Sequence, residues 1–268
     1  MQEILRIENI KQYFTSGGGV FRKGYTVKAV DGVSLQVARG ETLGLVGESG
    51  CGKSTLGRTI LKLYEPTEGE IYYQGQSITH LSAKQMRPLR KEMQIIFQDP
   101  LESLNQRHTV GMIIEEPFVI HKIGTAEERR QWVEELLEKV GLDKGAVNRY
   151  PHEFSGGQRQ RIGIARAIAL KPKLLICDES VSALDVSVQA QILNLLLKLQ
   201  QEMDLAMIFI SHDLSVVRHV SDRVAVMYFG KIVEEGSVQD IFESPKADYT
   251  RTLLAAIPAN HPKNRRRK

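Results

Sequence analysis

Nine consecutive residues, Gly47, Glu48, Ser49, Gly50, Cys51, Gly52, Lys53, Ser54 and Thr55, place glycines, a lysine and two adjacent hydroxyls between an apolar run at 42–46 and an amphipathic one at 54–63. The pattern G-x-x-x-x-G-K-[S/T] between a strand and a helix is a phosphate-binding loop. Its glycines let backbone N–H groups turn inward on a polyphosphate, and the following helix adds the positive end of its dipole. Lys53 would bring a point charge to the β- and γ-phosphates, and the Ser54 hydroxyl would ligate Mg²⁺. Such a loop needs an acid at a strand end. Residues 174–177, Leu-Leu-Ile-Cys, run into Asp178 and Glu179. Asp178 is placed to hold the Mg²⁺ shell through water, and Glu179, pointing differently, to polarise an attacking water. Two acids after an apolar strand would otherwise read as a solvated turn; paired with Lys53 they complete a Mg²⁺-nucleotide site.

The elements that must position these groups follow from apolar patterning. Runs at 5–10, 33–37, 42–46, 70–73, 94–97, 174–177, 207–210 and 224–228 predict strands. Helical spacing at 54–63, 126–140, 156–170 and 188–202 predicts helices between them, hence an α/β fold with a largely parallel sheet. Residues 103–157 carry few strand signals and read as a helical insertion. The chain has 268 residues with 36 Lys+Arg against 32 Asp+Glu, which on its own could indicate a nucleic-acid binder. The surplus, however, sits in the last eight residues, as Lys263, Arg265, Arg266, Arg267 and Lys268. The body is near neutral and 259–268 reads as a basic tail. No run of about 18 apolar residues and no signal-peptide pattern is present, so a cytoplasmic chain that does not itself cross a membrane is expected. Cys51 and Cys177 read as reduced thiols.

Between the loop and the acidic strand, residues 154–161 read Phe-Ser-Gly-Gly-Gln-Arg-Gln-Arg. Alone, Ser155, Gly156, Gly157 and Gln158 are a weak helix-capping signal. Gln98 alone is a polar strand end, Asp185 in Ser-Ala-Leu-Asp a helix cap, and His212 in Ile-Ser-His-Asp a satisfied histidine. In this order, with the phosphate loop, the set resembles the nucleotide-binding subunit of an ATP-binding cassette (ABC) transporter. The resemblance implies a P-loop NTPase fold with a helical subdomain at about 103–157 and an antiparallel β subdomain, one domain over 1–258. It also implies ATP and Mg²⁺ as ligands, with Gln98 beside Mg²⁺ and the lytic water, and His212 on the γ-phosphate. Residues 155–158 would bind ATP held on an opposite subunit, and Asp185 would communicate across that dimer. An aromatic that stacks on adenine is expected upstream. Tyr25 is preferred by its interval to Gly47, Tyr13 being the other candidate, with 15–24 a possible insertion between them.

Residues 24–33, 98–107 and 241–258 are similar to the oligopeptide/dipeptide/nickel importer ATPases. Gln106 stands where that subgroup usually has proline, and no cysteine follows Cys177, so the iron–sulfur cluster of some relatives is not expected. The chain looks like the second, F-type, ATPase of such a system. The resemblance implies ATP-driven import of oligopeptides or dipeptides, with nickel or another metal-chelator complex as the alternative. It implies a second ATPase subunit, two integral-membrane permeases and an extracytoplasmic binding protein, a peripheral position at the cytoplasmic face of the membrane, and no nucleic-acid partner.

Overall fold

The computed structural model describes residues 2–16, 25–99 and 103–256. The strands β3 (Thr42–Val46), β7 (Leu174–Asp178) and β8 (Ala206–Ser211) are buried at every residue. Strands covered on both faces show a continuous apolar run instead of alternation, which is the signature of a parallel sheet between layers. With β6 (Met93–Ile96), β9 (Arg223–Tyr228) and β10 (Lys231–Ser237) they form a six-stranded sheet of order β10-β9-β3-β8-β7-β6. Every pairing is parallel except the β9–β10 hairpin.

A second, antiparallel sheet of order β2-β1-β4-β5 contains β1 (Glu3–Ser16), β2 (Tyr25–Ala38), β4 (Glu68–Tyr73) and β5 (Gln76–Ser77). The apolar pattern marks only 5–10 and 33–37 of its two long strands, yet each runs to 14 residues. The ladder between them continues through register shifts near Ile10 and Tyr13 into a half whose β2 residues are exposed. Hydrogen bonding, not burial, extends these strands, so hydropathy does not reveal their ends.

Helix α1 (Lys53–Ile60) is wedged between the sheets: Leu56 and Ile60 share a core with Leu5 and Ile7 of β1 and with Leu43, Ile176 and Ile208 of the parallel sheet. The alternate residues Leu175, Cys177, Met207 and Phe209 face the other way, into a core built with helices. Those helices include α3 (Val110–His121), α4 (Ala126–Lys139), α5 (Gly156–Ile168) and α6 (Val186–Met203), following the short α2 (Ala83–Leu89). No strand lies between β6 and β7 among the described residues. The chain continues through α7 (Leu214–Val220), α8 (Val238–Glu243) and α9 (Asp248–Ala255). Among the described residues no helix is long and apolar enough to cross a membrane. The basic tail at 259–268 and most of the 15–24 segment lie outside the described residues.

Candidate functional site

Parallel register brings the site together. Val46 pairs with Ser211 and Asp178 with Ile210, so β3, β7 and β8 finish along one edge of the sheet. The phosphate loop, Glu179 and His212 each follow directly from those ends, the usual location of ligand sites in open parallel sheets. Gly52, which precedes α1, has φ 111° and makes no side-chain cap, leaving the first N–H groups of α1 without side-chain partners. A Cβ there would stand 2.0 Å from the Ala29 carbonyl oxygen, so the residue must be glycine on both counts. Lys53 is buried and its Nζ donates to the carbonyls of Gly47 and Glu48, both at 2.8 Å, folding back across the loop.

Beside the loop is a cleft of about 330 Å³. Residues 49–55 form one wall, Gln98 and Glu179 a second, and Val27–Ala29 with Phe229 and Gly230 a third. Gly47 and Glu48 do not line it. The Ser54 hydroxyl donates to Asp178 Oδ1 at 2.6 Å. Burial raises the Asp178 carboxyl above the ordinary carboxylate range, opposed by the Ser54 bond and by Arg58, whose Nη2 lies 3.8 Å from Oδ2. Glu179 adopts φ 46°, a left-handed backbone that costs a non-glycine residue on the order of 1 kcal/mol. Its N–H donates to Ile210 O (3.0 Å), and its carbonyl accepts from the Ser182 N–H and hydroxyl. Turned this way, its side chain leaves the Asp178 side: Gln98 Nε2 donates to Glu179 Oε2 at 3.0 Å, and His212 Nδ1 is 3.6 Å from Oε1. Gln98 thus meets Glu179 directly and lines the same cleft as Ser54, its companion with Asp178 in the expected Mg²⁺ set.

Magnesium chemistry fits these groups. Among the described residues no three His, Cys, Asp or Glu side chains gather into a metal cage. The hard oxygens of Ser54 and Asp178 at the mouth of a phosphate loop suit an ion that takes one or two protein ligands and fills the rest from phosphate and water. Cys51 and Cys177 are buried; burial pushes the Cys177 thiol up to about 12 and raises Cys51, against the pull of Lys53.

Residues 155–158 and Asp185 are not part of that cleft. Ser155 caps α5: its side chain accepts from Gln158 N–H, and Gln158 Oε1 accepts from Ser155 N–H at 3.0 Å. Gly157 is packed on α6, where an added Cβ would come within 2.3 Å of Val188 Cγ1. Asp185 is exposed at the start of α6, beside Val186 at 82% exposure. Gly156 lines a second, larger cleft of about 830 Å³ together with Arg58, Phe97, Arg159 and Leu184; Gln98 lines both clefts.

Tyr25, at the start of β2, is 65% exposed and lies on the same strand face as Val27 of the cleft wall, but does not itself line the cleft. Tyr13 is engaged elsewhere: its hydroxyl donates to Asp31, and Lys28 Nζ sits 5.2 Å from its ring centroid. Two residues go unnoticed in the linear reading: Arg58, which lines the larger cleft, and Phe229, which lines the one beside the loop. Arg58 lies four residues after Ser54, and that spacing puts both on the helix face toward Asp178. Phe229, 75% exposed at φ 42°, has as its only sequence signal an aromatic-glycine pair at a strand end.

Residues 30–182 match the family described as ABC transporter, and residues 233–268 match the oligopeptide/dipeptide transporter, C-terminal region. The second match runs through 259–268, so the basic segment falls within the resemblance and not beyond it. The oligopeptide transport ATP-binding protein AppF of Bacillus subtilis (strain 168) is 56% identical over 259 residues, 96% of this chain and 79% of that protein. The dipeptide transport ATP-binding protein DppF of Escherichia coli (strain K12) is 50% identical over 265 residues, 99% of this chain and 79% of that one. Among solved structures, the dimeric ATP-binding cassette MJ0796, in a post-hydrolysis state bound to ADP and Pi, aligns with a TM-score of 0.77 at 29% identity, over 88% of this chain and 99% of that one. The chain therefore belongs to the ABC transporter family, in the branch that carries the oligopeptide/dipeptide transporter C-terminal region.

Proposed function

We propose that the chain is the ATP-hydrolysing subunit of an importer for oligopeptides or dipeptides. It would sit at the cytoplasmic face of the membrane beneath two permease subunits, paired with a second ATPase subunit, while an extracytoplasmic binding protein delivers the substrate. The names of its relatives and the C-terminal match support the substrate class. Residues 1–258 would act as one nucleotide-binding domain, with about 103–157 as its helical subdomain and 259–268 as a basic tail.

The observation that carries the hydrolytic reading is the divergence of two neighbouring acids. Asp178 is bonded to Ser54 on the loop side, while Glu179 is turned into the cleft between Gln98 and His212. Backbone N–H groups of 50–55 would hold the phosphates, with Lys53 exchanging its two loop carbonyls for phosphate oxygens. Ser54 and Asp178 would hold Mg²⁺, which when bound neutralises developing charge on the phosphates. Glu179 would accept a proton from water held against it, oriented by the Gln98 amide, and His212 would contact the terminal phosphate. The turn at Ser155 to Gln158, exposed except for the buried Gly157, would with Asp185 complete the site of a partner cassette. Tyr25, with an exposed ring, is the better adenine platform than the engaged Tyr13.

Glu179→Gln keeps the hydrogen-bonding shape and removes the base. In the assembled transporter it should bind ATP and lose phosphate release at least about 100-fold. Release at the wild-type rate would refute Glu179 as the base. Stimulation of hydrolysis by a peptide-loaded binding protein supports the substrate class; stimulation by a nickel-loaded one alone overturns it.

A further inference from the structure

The residues after β9 reach the phosphate loop at two places: Gly230, in the cleft wall, meets Cys51, and α9 meets Glu48, which does not line the cleft. The Glu234 carboxylate of β10 accepts the N–H groups of Lys246 (2.7 Å) and Ala247 (3.0 Å), the two residues before α9, and so ties the start of that helix to the sheet. In the first turn of α9, the ring of Tyr249 packs on Tyr228, with centroids 4.0 Å apart. Its hydroxyl oxygen accepts the N–H of Glu48 at 3.2 Å. Just past Tyr228, the Gly230 N–H donates to the Cys51 carbonyl at 2.9 Å. The loop is thus gripped at two points, Glu48 and Cys51, by the end of β9 and by α9.

The position of Glu48 gives the first grip its meaning. Cleft-lining residues of the loop begin at Ser49, so the Glu48 N–H is not among the donors that face the phosphate space. A backbone donor at the base of such a loop needs a partner from elsewhere, and Tyr249 is that partner. Burial raises the Tyr249 phenol, so the hydroxyl stays neutral at physiological pH.

We propose that Tyr249 is a positioning residue for nucleotide binding: through it the C-terminal region braces the phosphate loop at Glu48, outside the cleft, and sets its affinity for ATP. The proposal rests on the reading of this loop as the ATP site. Tyr249 touches no phosphate; it acts through Glu48.

The test is Tyr249→Phe in the full chain, which keeps the ring on Tyr228 and deletes only the acceptor. Loss of one neutral hydrogen bond should raise the Kd for a fluorescent ATP analogue, and the KM for ATP in the assembled transporter, by about threefold to tenfold with kcat unchanged. Hydrogen exchange at the Glu48 amide should quicken in parallel. A merely structural role would lower Tm and kcat together and spare the split between KM and kcat. An unchanged Kd, or a changed Kd with Glu48 exchange at the wild-type rate, overturns the proposal. If the wild-type chain itself binds no ATP, the reading of the loop falls first; if it binds ATP and the variant binds equally well, the brace alone is wrong.

Discussion

Two helices of this chain begin at glycine-rich turns, and they solve the problem of a helix N-terminus in opposite ways. At α1 the preceding residue is Gly52, left-handed and without a capping side chain, so the first turn stays open toward the cleft. At α5 the preceding residue is Ser155, and Ser155 and Gln158 satisfy each other's backbone N–H groups in a closed capping box. The glycines differ as well. Gly52 serves backbone conformation and closeness to Ala29, whereas Gly157 makes room for Val188 of a neighbouring helix. An open start is ready for an anion from its own cleft. A capped start is stable alone and leaves outside its cap only the N–H groups of Gly156 and Gly157 for an anion.

The largest break in that comparison comes from Lys53→Ala, which removes the cation of the open turn. Charge-assisted contacts of this kind are worth about 1.5–3 kcal/mol, so the Kd for ATP should rise roughly 10- to 100-fold by equilibrium binding. An unchanged Kd would mean that α1 is not where the phosphates sit. Gly157→Ala tests the packing role at the capped turn. Forcing a methyl against Val188 should cost about 1–3 kcal/mol in denaturant unfolding, and Val188→Ala in the same chain should recover most of it. Failure of that rescue would show that Gly157 is needed for something besides room. The smallest effect belongs to the cap: Ser155→Ala should cost about 1 kcal/mol, and Ser155→Gly only a few tenths. Equal losses for the two would show that the box contributes nothing to α5.

Legibility in the linear sequence divides along the same physical line. β3, β7 and β8 stand out because both their faces are buried, and the loop and acids at their ends are local patterns. The outer halves of β1 and β2 do not, because paired backbone holds them while the β2 side chains there face solvent. Arg58 was within reach, being one helical turn from Ser54 and aimed at the same carboxylate. Phe229 and Tyr249 were not, since they meet the loop only after some two hundred intervening residues have folded. Parallel topology creates such contacts, and no window of sequence contains them.

The wedged position of α1 has a thermodynamic consequence. Leu56 and Ile60 belong to a core shared by both sheets, so the helix that opens the nucleotide cleft cannot melt by itself. A ligand held at its first turn is then linked to the unfolding of the whole domain. At a hundred times its Kd, such a ligand adds about 2.7 kcal/mol to folding stability. For this chain the molecule consumed in each turnover is also part of what keeps it folded between turnovers.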